Sequence, residues 1–477
     1  MIKSNLKEEV MYMSLMIYNT ASHREEEFKP WNSNQVTMYT CGPTVYHFAH
    51  IGNLRTYIME DILEKTLRYL GYNVKRCMNI TDVGHLTSDA DSGDDKMVSS
   101  AKKEHKTVME IAKFYTDKFF DDCDKLNIKK PELVCPATEN IDEYIKIIEK
   151  LLKDGYAYER GGNVYFDTSK LDKYYVLTNH EEENLLEGVR DTVDVDTNKK
   201  NKTDFVLWFT KSKFDTQDLK WDSPFGVGYP GWHIECTGIS IKYLGEHLDI
   251  HCGGVDNIFP HHTNEIAQSE SFLGHHWCNY WVHGEHLNDE SGKMSKSHGK
   301  TLTVDTLIEM GYNPLSYRFL CLQSHYRKQL TFSYSSLDGA ETAYKKLKNR
   351  VLSLNKEGNI DSKVYDLYNK KFKECLEDDL NTANALTLVF EVLKLDTSDS
   401  TKYKLISDFD NVLSLSLTAS DEANNDDDDS EILKKIEERN EAKKNKDYEL
   451  ADKIRNELLE KGIILKDTRE GTIYSRQ

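Results

Sequence analysis

Residues 36–80 read VTMYTCGPTVYHFAHIGNLRTYIMEDILEKTLRYLGYNVKRCMNI, and this stretch decides the fold of the chain. Its first residues, 36–39, predict a short strand that runs into a loop beginning Cys41-Gly-Pro. Apolar residues at positions 59, 62, 63, 67 and 70 then form the stripe of a helix that ends at Gly71, and residues 73–80 predict a second strand. A strand, a helix and a strand within about 45 residues form a βαβ unit, so the sequence predicts a parallel sheet with a right-handed crossover.

The remainder of the chain is organised around this unit. Residues 247–251 predict another buried strand, which ends at Gly253-Gly254. The stretch between the two strand regions, roughly 100 to 225, is interpreted as an insertion between two halves of one sheet, and a helical bundle and a small module follow it. The predicted elements are helices at 108–125 and 141–154, a hairpin at 156–168, helical segments at 338–356, 363–395 and 402–417, an acidic linker around 421–429, and a charged helix with two short strands within 431–477.

Composition places the chain among globular proteins. Hydrophobic residues make up 38% and charged residues 30% of its 477 residues, and no apolar run approaches the roughly 18 residues of a membrane span. The first ten residues include acidic side chains where a signal peptide has its apolar stretch, and the nine cysteines are scattered without a CxxC pair. We therefore expect a cytoplasmic protein without a disulfide framework, and a monomer.

The net charge of −19 argues only weakly against a nucleic-acid partner. Much of this charge is local, because Asp421-Glu422 and the run 426–429 are acidic. Phosphate binding needs a basic surface on one part of a protein, not a basic protein. Such basic clusters occur at 199–202, 345–350 and 443–446, although each is also compatible with an ordinary solvated surface.

Two cysteines and one short segment form a candidate metal site. Cys41 and Cys236 lie in Gly/Pro-marked stretches, and His261 and Glu265 stand at helical i and i+4 positions within Phe259-Pro-His-His-Thr-Asn-Glu265. Two thiolates, an imidazole and a carboxylate are a plausible ligand set for zinc. The residues alone leave other nearby ligands open, namely His233, His251, Cys252 and His262.

Two further segments are candidates for phosphate binding. His50-Ile-Gly-Asn53 precedes the predicted helix, where free backbone N–H groups favour anions and a glycine allows close approach. Lys293-Met-Ser-Lys-Ser297 places two lysines in a Gly/Ser-rich loop, and such ammonium groups can offset charge on transferring phosphoryl oxygens. An ordinary strand-to-helix turn and a plain polar loop are the alternative interpretations.

The order of these segments resembles that of the cysteinyl-tRNA synthetases, which are class I aminoacyl-tRNA synthetases. The order is CGPTVY, HIGN, GWHIEC, FPHH with the following Asn-Glu, and KMSKS, and further matches lie at 79–82, 204–208, 378–382 and 471–474. The resemblance implies an α/β fold with a Rossmann-like, parallel-sheet catalytic domain. The implied regions are an N-terminal extension (1–14) that is a candidate for disorder, a split catalytic domain (15–105 and 225–290), a connective insertion (106–224), a KMSKS and stem-contact region (291–335), a helical tRNA-binding bundle (336–418), an acidic linker (419–430) and a small α+β anticodon-recognition module (431–477).

The resemblance also implies roles for individual residues. It implies one zinc ion per chain held by Cys41, Cys236, His261 and Glu265, with Glu265 as the ligand expected to loosen, and it implies Mg²⁺ with ATP. His50, Asn53, Lys293 and Lys296 are the expected catalytic residues. The implied ATP site comprises Pro43, Thr44, His47, His50, Gly52, Asn53, Lys293, Met294, Ser295, Lys296 and Ser297; the cysteine pocket comprises Gly42, Thr81, Trp232 and Asp256; and the anticodon contacts comprise Lys443, Tyr448, Asp452 and Asp467.

The implied reaction is the activation of L-cysteine by ATP and its transfer to the 3′ end of tRNA(Cys). Cysteine and serine differ by one atom, so a pocket that reads shape alone discriminates by only about 10- to 200-fold, whereas a bound zinc prefers a thiolate to a hydroxyl. Departures from the family pattern include Asn53 in the last position of the HIGH signature, His47, Thr263, Tyr229 and Lys443. Two alternatives remain: a ligase that passes cysteine to a small amine, and a non-catalytic, zinc-stabilised RNA-binding protein.

Overall fold

The computed structural model describes residues 14–84, 86–88, 92–95, 100, 104, 106–178, 196–211, 218–289, 292–293, 302–420, 434–440, 442–443, 447–460, 463–468 and 471–476. The chain forms two compact units, 1–417 and 418–477. The strands are β1 (Met16–Asn19), β2 (Arg24–Glu27), β3 (Val36–Thr40), β4 (Val74–Ile80), β5 (Leu86–Ser88), β6 (Ser92–Asp95), β7 (Leu133–Pro136), β8 (Ala157–Arg160), β9 (Asn163–Phe166), β10 (Phe205–Phe209), β11 (Tyr229–Pro230), β12 (Leu248–Gly254), β13 (Cys278–Gly284), β14 (Leu287–Asp289), β15 (Gly292–Lys293), β16 (Leu330–Thr331), β17 (Ile463–Thr468) and β18 (Gly471–Arg476).

Longer helices connect and cover these strands. They are α1 (Ile51–Tyr69), α2 (Val108–Lys125), α3 (Ile141–Lys153), α4 (Trp232–Leu244), α5 (Thr263–Leu273), α6 (Val304–Glu309), α7 (Pro314–Leu322), α8 (Tyr334–Leu352), α9 (Ser362–Glu377), α10 (Thr382–Val392), α11 (Asp399–Leu413) and α12 (Tyr448–Glu460). None of the helices in the described part of the chain is both long and apolar enough to cross a membrane.

A five-stranded parallel sheet lies at the centre of the first unit, in the order β13-β12-β3-β4-β7. Every neighbouring pair in it is parallel, which confirms the predicted α/β class. The predicted βαβ unit forms from β3, α1 and β4. The sheet takes its fifth strand, β7, from within the range 106–224, and it takes β12 and β13 from the second half of the catalytic region.

Two hydrophobic cores cover the two faces of this sheet. Because successive side chains of a strand point to opposite faces, Met38 packs into one core and Tyr39 into the other. The first core receives α1 and continues through the bundle as far as Leu417. The second core receives α3 and α4, and it carries the buried Trp208 of the four-stranded antiparallel sheet β11-β10-β9-β8. The sheet is therefore covered by helices on both sides, as parallel sheets are.

The helical bundle contains one break that the sequence analysis did not place. The helical segment predicted at 363–395 forms two helices, α9 and α10, with a break between them. The chain turns at Asp379 and Leu380, whose φ values of 47° and 58° lie in the left-handed region and end a right-handed helix. Asp379 is held there because its carboxylate accepts hydrogen bonds from Tyr18 N at 2.9 Å and from the Tyr326 hydroxyl at 2.6 Å.

The second unit contains α12 and the antiparallel pair β17-β18. Its small core is formed by Ile436, Ile454, Leu458, Ile463 and Leu465. The predicted charged helix and two short strands are thus observed. The predicted N-terminal extension and the acidic linker fall almost entirely outside the described residues, and the boundaries of the domains stay predictions.

Candidate functional site

A cleft of about 420 Å³ lies at the carboxyl edge of the central sheet. Its walls are the loop 41–50 after β3, the first turn of α1, the segment 253–257 after β12 and the segment 284–287 after β13. In open α/β sheets, ligands bind in the crevice outside the carboxyl ends of the strands. The parallel topology therefore brings residues from three distant parts of the sequence into one cavity.

The four predicted zinc ligands converge at this edge. Cys41 follows β3, Cys236 lies in α4, His261 lies in the wide turn before α5, and Glu265 lies in the first turn of α5. One donor atom of each residue lies within 4.8 Å of all the others. The Sγ atoms of Cys41 and Cys236 are 3.9 Å apart, Cys236 Sγ is 3.5 Å from His261 Nε2, and that nitrogen is 3.0 Å from Glu265 Oε1.

The spacing of these donors fits a small tetrahedral cation. Zinc binds sulfur at about 2.3 Å and nitrogen or oxygen at about 2.0–2.2 Å, so tetrahedral ligands stand roughly 3.3–3.8 Å from one another. The Oε1 atom of Glu265 is fully buried without a hydrogen-bond partner, although His261 Nε2 is 3.0 Å away. An imidazole nitrogen and a carboxylate oxygen that face one point at this distance are donor atoms that a shared metal can bind.

Two of the alternative ligands also lie at the cluster. His251 and His262 form a second group with Cys41 and Glu265, in which His251 Nε2 is 2.8 Å from Glu265 Oε2 and His262 Nε2 is 3.3 Å from Cys41 Sγ. His233 contacts only the far nitrogen of His261, at 2.9 Å between the two Nδ1 atoms. Cys252 packs in the core on the other face of the sheet. The structure thus leaves His251 and His262 beside the predicted set and places Cys252 away from it.

The cluster favours anionic donors despite its burial. Burial raises the pKa of Glu265, but His251 and His261 outweigh it and lower the pKa to about 2. Burial likewise raises the pKa of Cys236, and the Cys41 thiol and His261 more than offset this, so its pKa lies below the usual thiol range. Burial together with the neighbouring imidazoles lowers the pKa of His262 far below its usual value, which keeps this ring neutral. Burial lowers the pKa of the proposed ligand His261, but Glu265 and Cys236 outweigh it and raise this pKa to about 10. His261 therefore shares a proton with the two anionic donors, and a metal that binds this set releases that proton.

The HIGN segment starts α1 at the floor of the cleft. His50 is the N-cap, its Nδ1 accepts a hydrogen bond from Asn53 N at 3.2 Å, and Asn53 Oδ1 accepts one from His50 N at 3.3 Å. A Cβ on Gly52 would lie 2.9 Å from the His50 ring, so only glycine fits without moving that ring. Pro43, Thr44, His47, Gly52 and Asn53 all line the cleft, as the predicted ATP site requires.

The KMSKS segment is described only at its first residue. The backbone of Lys293 lies in β15, which pairs with β14 across Asn288. The predictions for Met294, Ser295, Lys296 and Ser297, and for the Lys293 side chain, fall outside the described residues.

The predicted cysteine-pocket residues lie in three places: in the cleft, beside the candidate metal ligands, and beneath the loop. Gly42 and Asp256 line the cleft, and Asp256 Oδ1 lies 3.4 Å from His286 Nε2. The Trp232 ring lies 4.6 Å from the His261 ring, next to the metal cluster. Thr81 is buried beneath the loop, where its hydroxyl donates to Glu235 Oε2 at 2.9 Å. Thr81 therefore supports the pocket from below.

Some residues of the site were not singled out from the sequence. His283 Nε2 lies 2.8 Å from His262 Nδ1, and Asn79 Oδ1 accepts a hydrogen bond from Gly42 N at 2.8 Å. Glu235, fully buried in α4, bonds Thr81. A signal was available, because His283 and Glu235 are polar residues inside otherwise apolar elements, and buried polar side chains have partners.

The predicted anticodon contacts lie in the second unit. Tyr448 and Asp452 stand one turn apart on α12, and both are exposed. The exposed fraction of Tyr448 is 63%, which is high for an aromatic ring. Lys443 is half-buried, Asp467 lies in β17, and the Asp467 side chain is outside the described residues.

Comparison with known proteins identifies relatives along the whole chain. Residues 27–342 match the family described as tRNA synthetases class I (C) catalytic domain, and residues 371–396 match the DALR domain. The cysteine–tRNA ligase of Treponema denticola is 47% identical over 493 residues, covering 97% of this chain and 100% of the relative, and that of Borrelia hermsii is 44% identical with the same coverage. Among solved structures, Mycobacterium tuberculosis methionyl-tRNA synthetase in complex with methionyl-adenylate has a TM-score of 0.53 at 14% identity, covering 80% of this chain and 90% of that chain, which is a likeness of fold.

Proposed function

The chain belongs to the cysteine–tRNA ligases within the class I tRNA synthetases, and we propose that it joins L-cysteine to tRNA(Cys) at the cleft described above. The observation that carries this proposal is the full-length identity of 47% to a cysteine–tRNA ligase. The reaction takes two steps. The cysteine carboxylate attacks the α-phosphate of ATP and pyrophosphate leaves, and a ribose hydroxyl at the tRNA 3′ end then attacks the cysteinyl-adenylate.

We propose that Cys41, Cys236, His261 and Glu265 hold one zinc ion. The donor spacing and the unpartnered Oε1 atom of Glu265 support a metal at this cluster, and the resemblance of GWHIEC and FPHH to the family pattern selects this set over the set with His251 and His262, which shares Cys41 and Glu265 with it. When bound there, zinc supplies a soft Lewis acid that accepts the substrate sulfur as a thiolate and accepts a serine hydroxyl poorly. Glu265 is the ligand we expect to loosen, because His251 can retain its other oxygen at 2.8 Å.

The other residues of the cleft position substrate and ATP. Asp256 carries the negative charge proposed to pair with the ammonium group of cysteine. His50 and Asn53 stand at the N-terminus of α1, where the positive end of the helix dipole favours phosphate, and Lys293 and Lys296 are proposed to bring positive charge to the same phosphates. Mg²⁺ is expected with ATP. The chain does little covalent work in this scheme, because positioning and charge stabilisation supply the rate.

The acceptor is proposed to be tRNA and not a small amine. A small-molecule ligase has no need of the second unit, where Tyr448 exposes an aromatic ring that can stack on a base. The full-length match to relatives named cysteine–tRNA ligase points the same way. The zinc and ATP sites serve either acceptor equally, so the acceptor is the part that needs its own test.

Three assays on one preparation test these proposals. Cysteine-dependent ATP–pyrophosphate exchange tests activation, and its absence in the wild type would reject both ligase functions. Charging of tRNA(Cys) tests the acceptor, and exchange without charging would favour the small-amine alternative.

For the metal, we expect Cys236→Ser to lower zinc content and cysteine affinity together. Cys252→Ser changes an equally buried thiol on the other face of the sheet and is expected to keep both. Full zinc occupancy with normal cysteine binding in Cys236→Ser would reject the ligand set.

A further inference from the structure

Arg55 is a buried cation two residues after the HIGN segment. Its exposed fraction is 5%, and its guanidinium donates to three backbone carbonyls: Glu285 O at 2.8 Å, His286 O and Lys328 O. In the part of the chain that the structure describes, no ion pair joins it to a carboxylate. The side chain therefore links α1 to two separate backbone segments. A guanidinium is suited to this role because it is planar and has five N–H donors.

Those two segments form the base of the hairpin that leads into KMSKS. Glu285 and His286 run into β14, Lys328 runs into β16, and β14 pairs with both β16 and β15, where Lys293 lies. Arg55 therefore fixes the start of the KMSKS segment against the helix that begins with HIGN.

The far end of the same segment is fastened to the same turn of α1. The backbone N–H of Ile51 donates to Leu302 O at 2.9 Å, and the Tyr317 hydroxyl of α7 donates to Ile51 O at 2.7 Å. Described residues on both sides of the KMSKS segment, 285–286 before it and Leu302 after it, are thus bonded to the first turns of α1.

We propose that Arg55 is a positioning residue for adenylate formation, which holds the base of the KMSKS hairpin in register with the HIGN turn. This inference rests on the proposed function, since it assigns Arg55 to the activation step. A misplacement of about 1 Å can cost roughly 100-fold in rate even when it begins away from the reacting atoms. A lysine at this position keeps the charge, but a single ammonium group cannot span carbonyls on two segments.

The test compares Arg55→Lys with Arg318→Lys. Arg318 is the control, because its buried guanidinium also bonds backbone carbonyls on two segments, Leu413 O at 2.8 Å and Leu126 O at 3.0 Å, and its one difference in kind is an ion pair with Asp61 Oδ2 at 2.6 Å. We expect Arg55→Lys to slow single-turnover adenylate formation by roughly 10- to 100-fold and to leave the affinity for cysteine unchanged. The rates are measured at a temperature well below the melting transitions of both arginine variants. Arg318→Lys is expected to melt earlier and to keep the wild-type rate.

Two further variants keep the test decisive if Arg55→Lys does not fold. Tyr317→Phe removes one hydroxyl from the same joint, and Tyr344→Phe removes a buried hydroxyl that donates to Leu415 O at 2.9 Å in the bundle. A slower adenylation step in Tyr317→Phe alone supports the inference. Equal rates in the two arginine variants, or in the two tyrosine variants, would overturn it. Absence of exchange in the wild type would instead reject the proposed function.

Discussion

Replacement of Gly42 by alanine tests how closely the loop that carries Cys41 lies against the sheet. A Cβ at Gly42 would stand 1.6 Å from the carbonyl oxygen of Asn79, and real Cβ contacts essentially never fall below 3.0 Å. The loop must therefore retreat by at least about 1.4 Å from the end of β4. The preceding residue is Cys41, so its sulfur is expected to move with the loop and to change its 3.9 Å distance from Cys236 Sγ.

A displacement of this size is expected to cost roughly 100-fold in the rate of adenylate formation, or about 2.7 kcal/mol in activation free energy. Zinc content should fall in parallel. Single-turnover adenylation and zinc analysis of the purified variant measure the two effects. The matched control is Gly339→Ala, at an exposed position of α8 where a Cβ meets no atom within 4 Å, and we expect it to gain about 0.5–1 kcal/mol of stability. Gly42→Ala with full zinc and a rate within twofold of wild type would refute the reasoning.

Three other predictions concern the substrate, the tRNA and pH. Asp256→Asn should raise the KM for cysteine in the exchange assay by about 10- to 100-fold, since a hydrogen bond to a charged group contributes about 1.5–3 kcal/mol; an unchanged KM would remove Asp256 from the pocket. Tyr448→Ala should raise the KM for tRNA about 5- to 150-fold while exchange stays at the wild-type rate, because stacking on one base contributes about 1–3 kcal/mol; equal loss in both assays would contradict an anticodon role. Burial and Asp305 raise the pKa of Asp122 to about 7, so the folded state retains a proton that the unfolded state loses, and stability falls as pH rises from about 4 to 7. Asp122→Asn should therefore raise the Tm at pH 8 and not at pH 4, and equal changes at both values would count against this explanation.

The sequence predicted the parts of the fold that depend on local pattern. The helix predicted at 108–125 has those bounds in the structure, and the predicted strands 36–39 and 73–80 are β3 and β4 within one residue at their ends. The break at Asp379 and Leu380 could not be predicted, because no glycine or proline marks it. It depends on Tyr18 and Tyr326, which are distant in sequence and hold the Asp379 carboxylate.

The candidate site was predictable in its composition and not in its detail. The residues and the resemblance selected Cys41, Cys236, His261 and Glu265, and their donors do converge. Spacing alone could not show that His251 and His262 approach the same point, because His251 arrives on β12 and His262 in the turn before α5. The three hydrogen bonds of Arg55 could not be predicted from the sequence, because their acceptors are backbone carbonyls, which every residue has.

The core on the α1 face of the sheet has a consequence for how this protein can be divided. That core runs without interruption from Leu15, through Met38 and Leu63, to Phe409 and Leu417 in the bundle. A fragment that stops at residue 335 would expose the apolar side of α1 to water, so we expect it to aggregate instead of keeping the activation half-reaction. A fragment that ends at 417 would retain the whole core and should melt in a single transition. We therefore expect the smallest autonomous activating enzyme in this chain to include the bundle, and the last 60 residues to be dispensable for its folding.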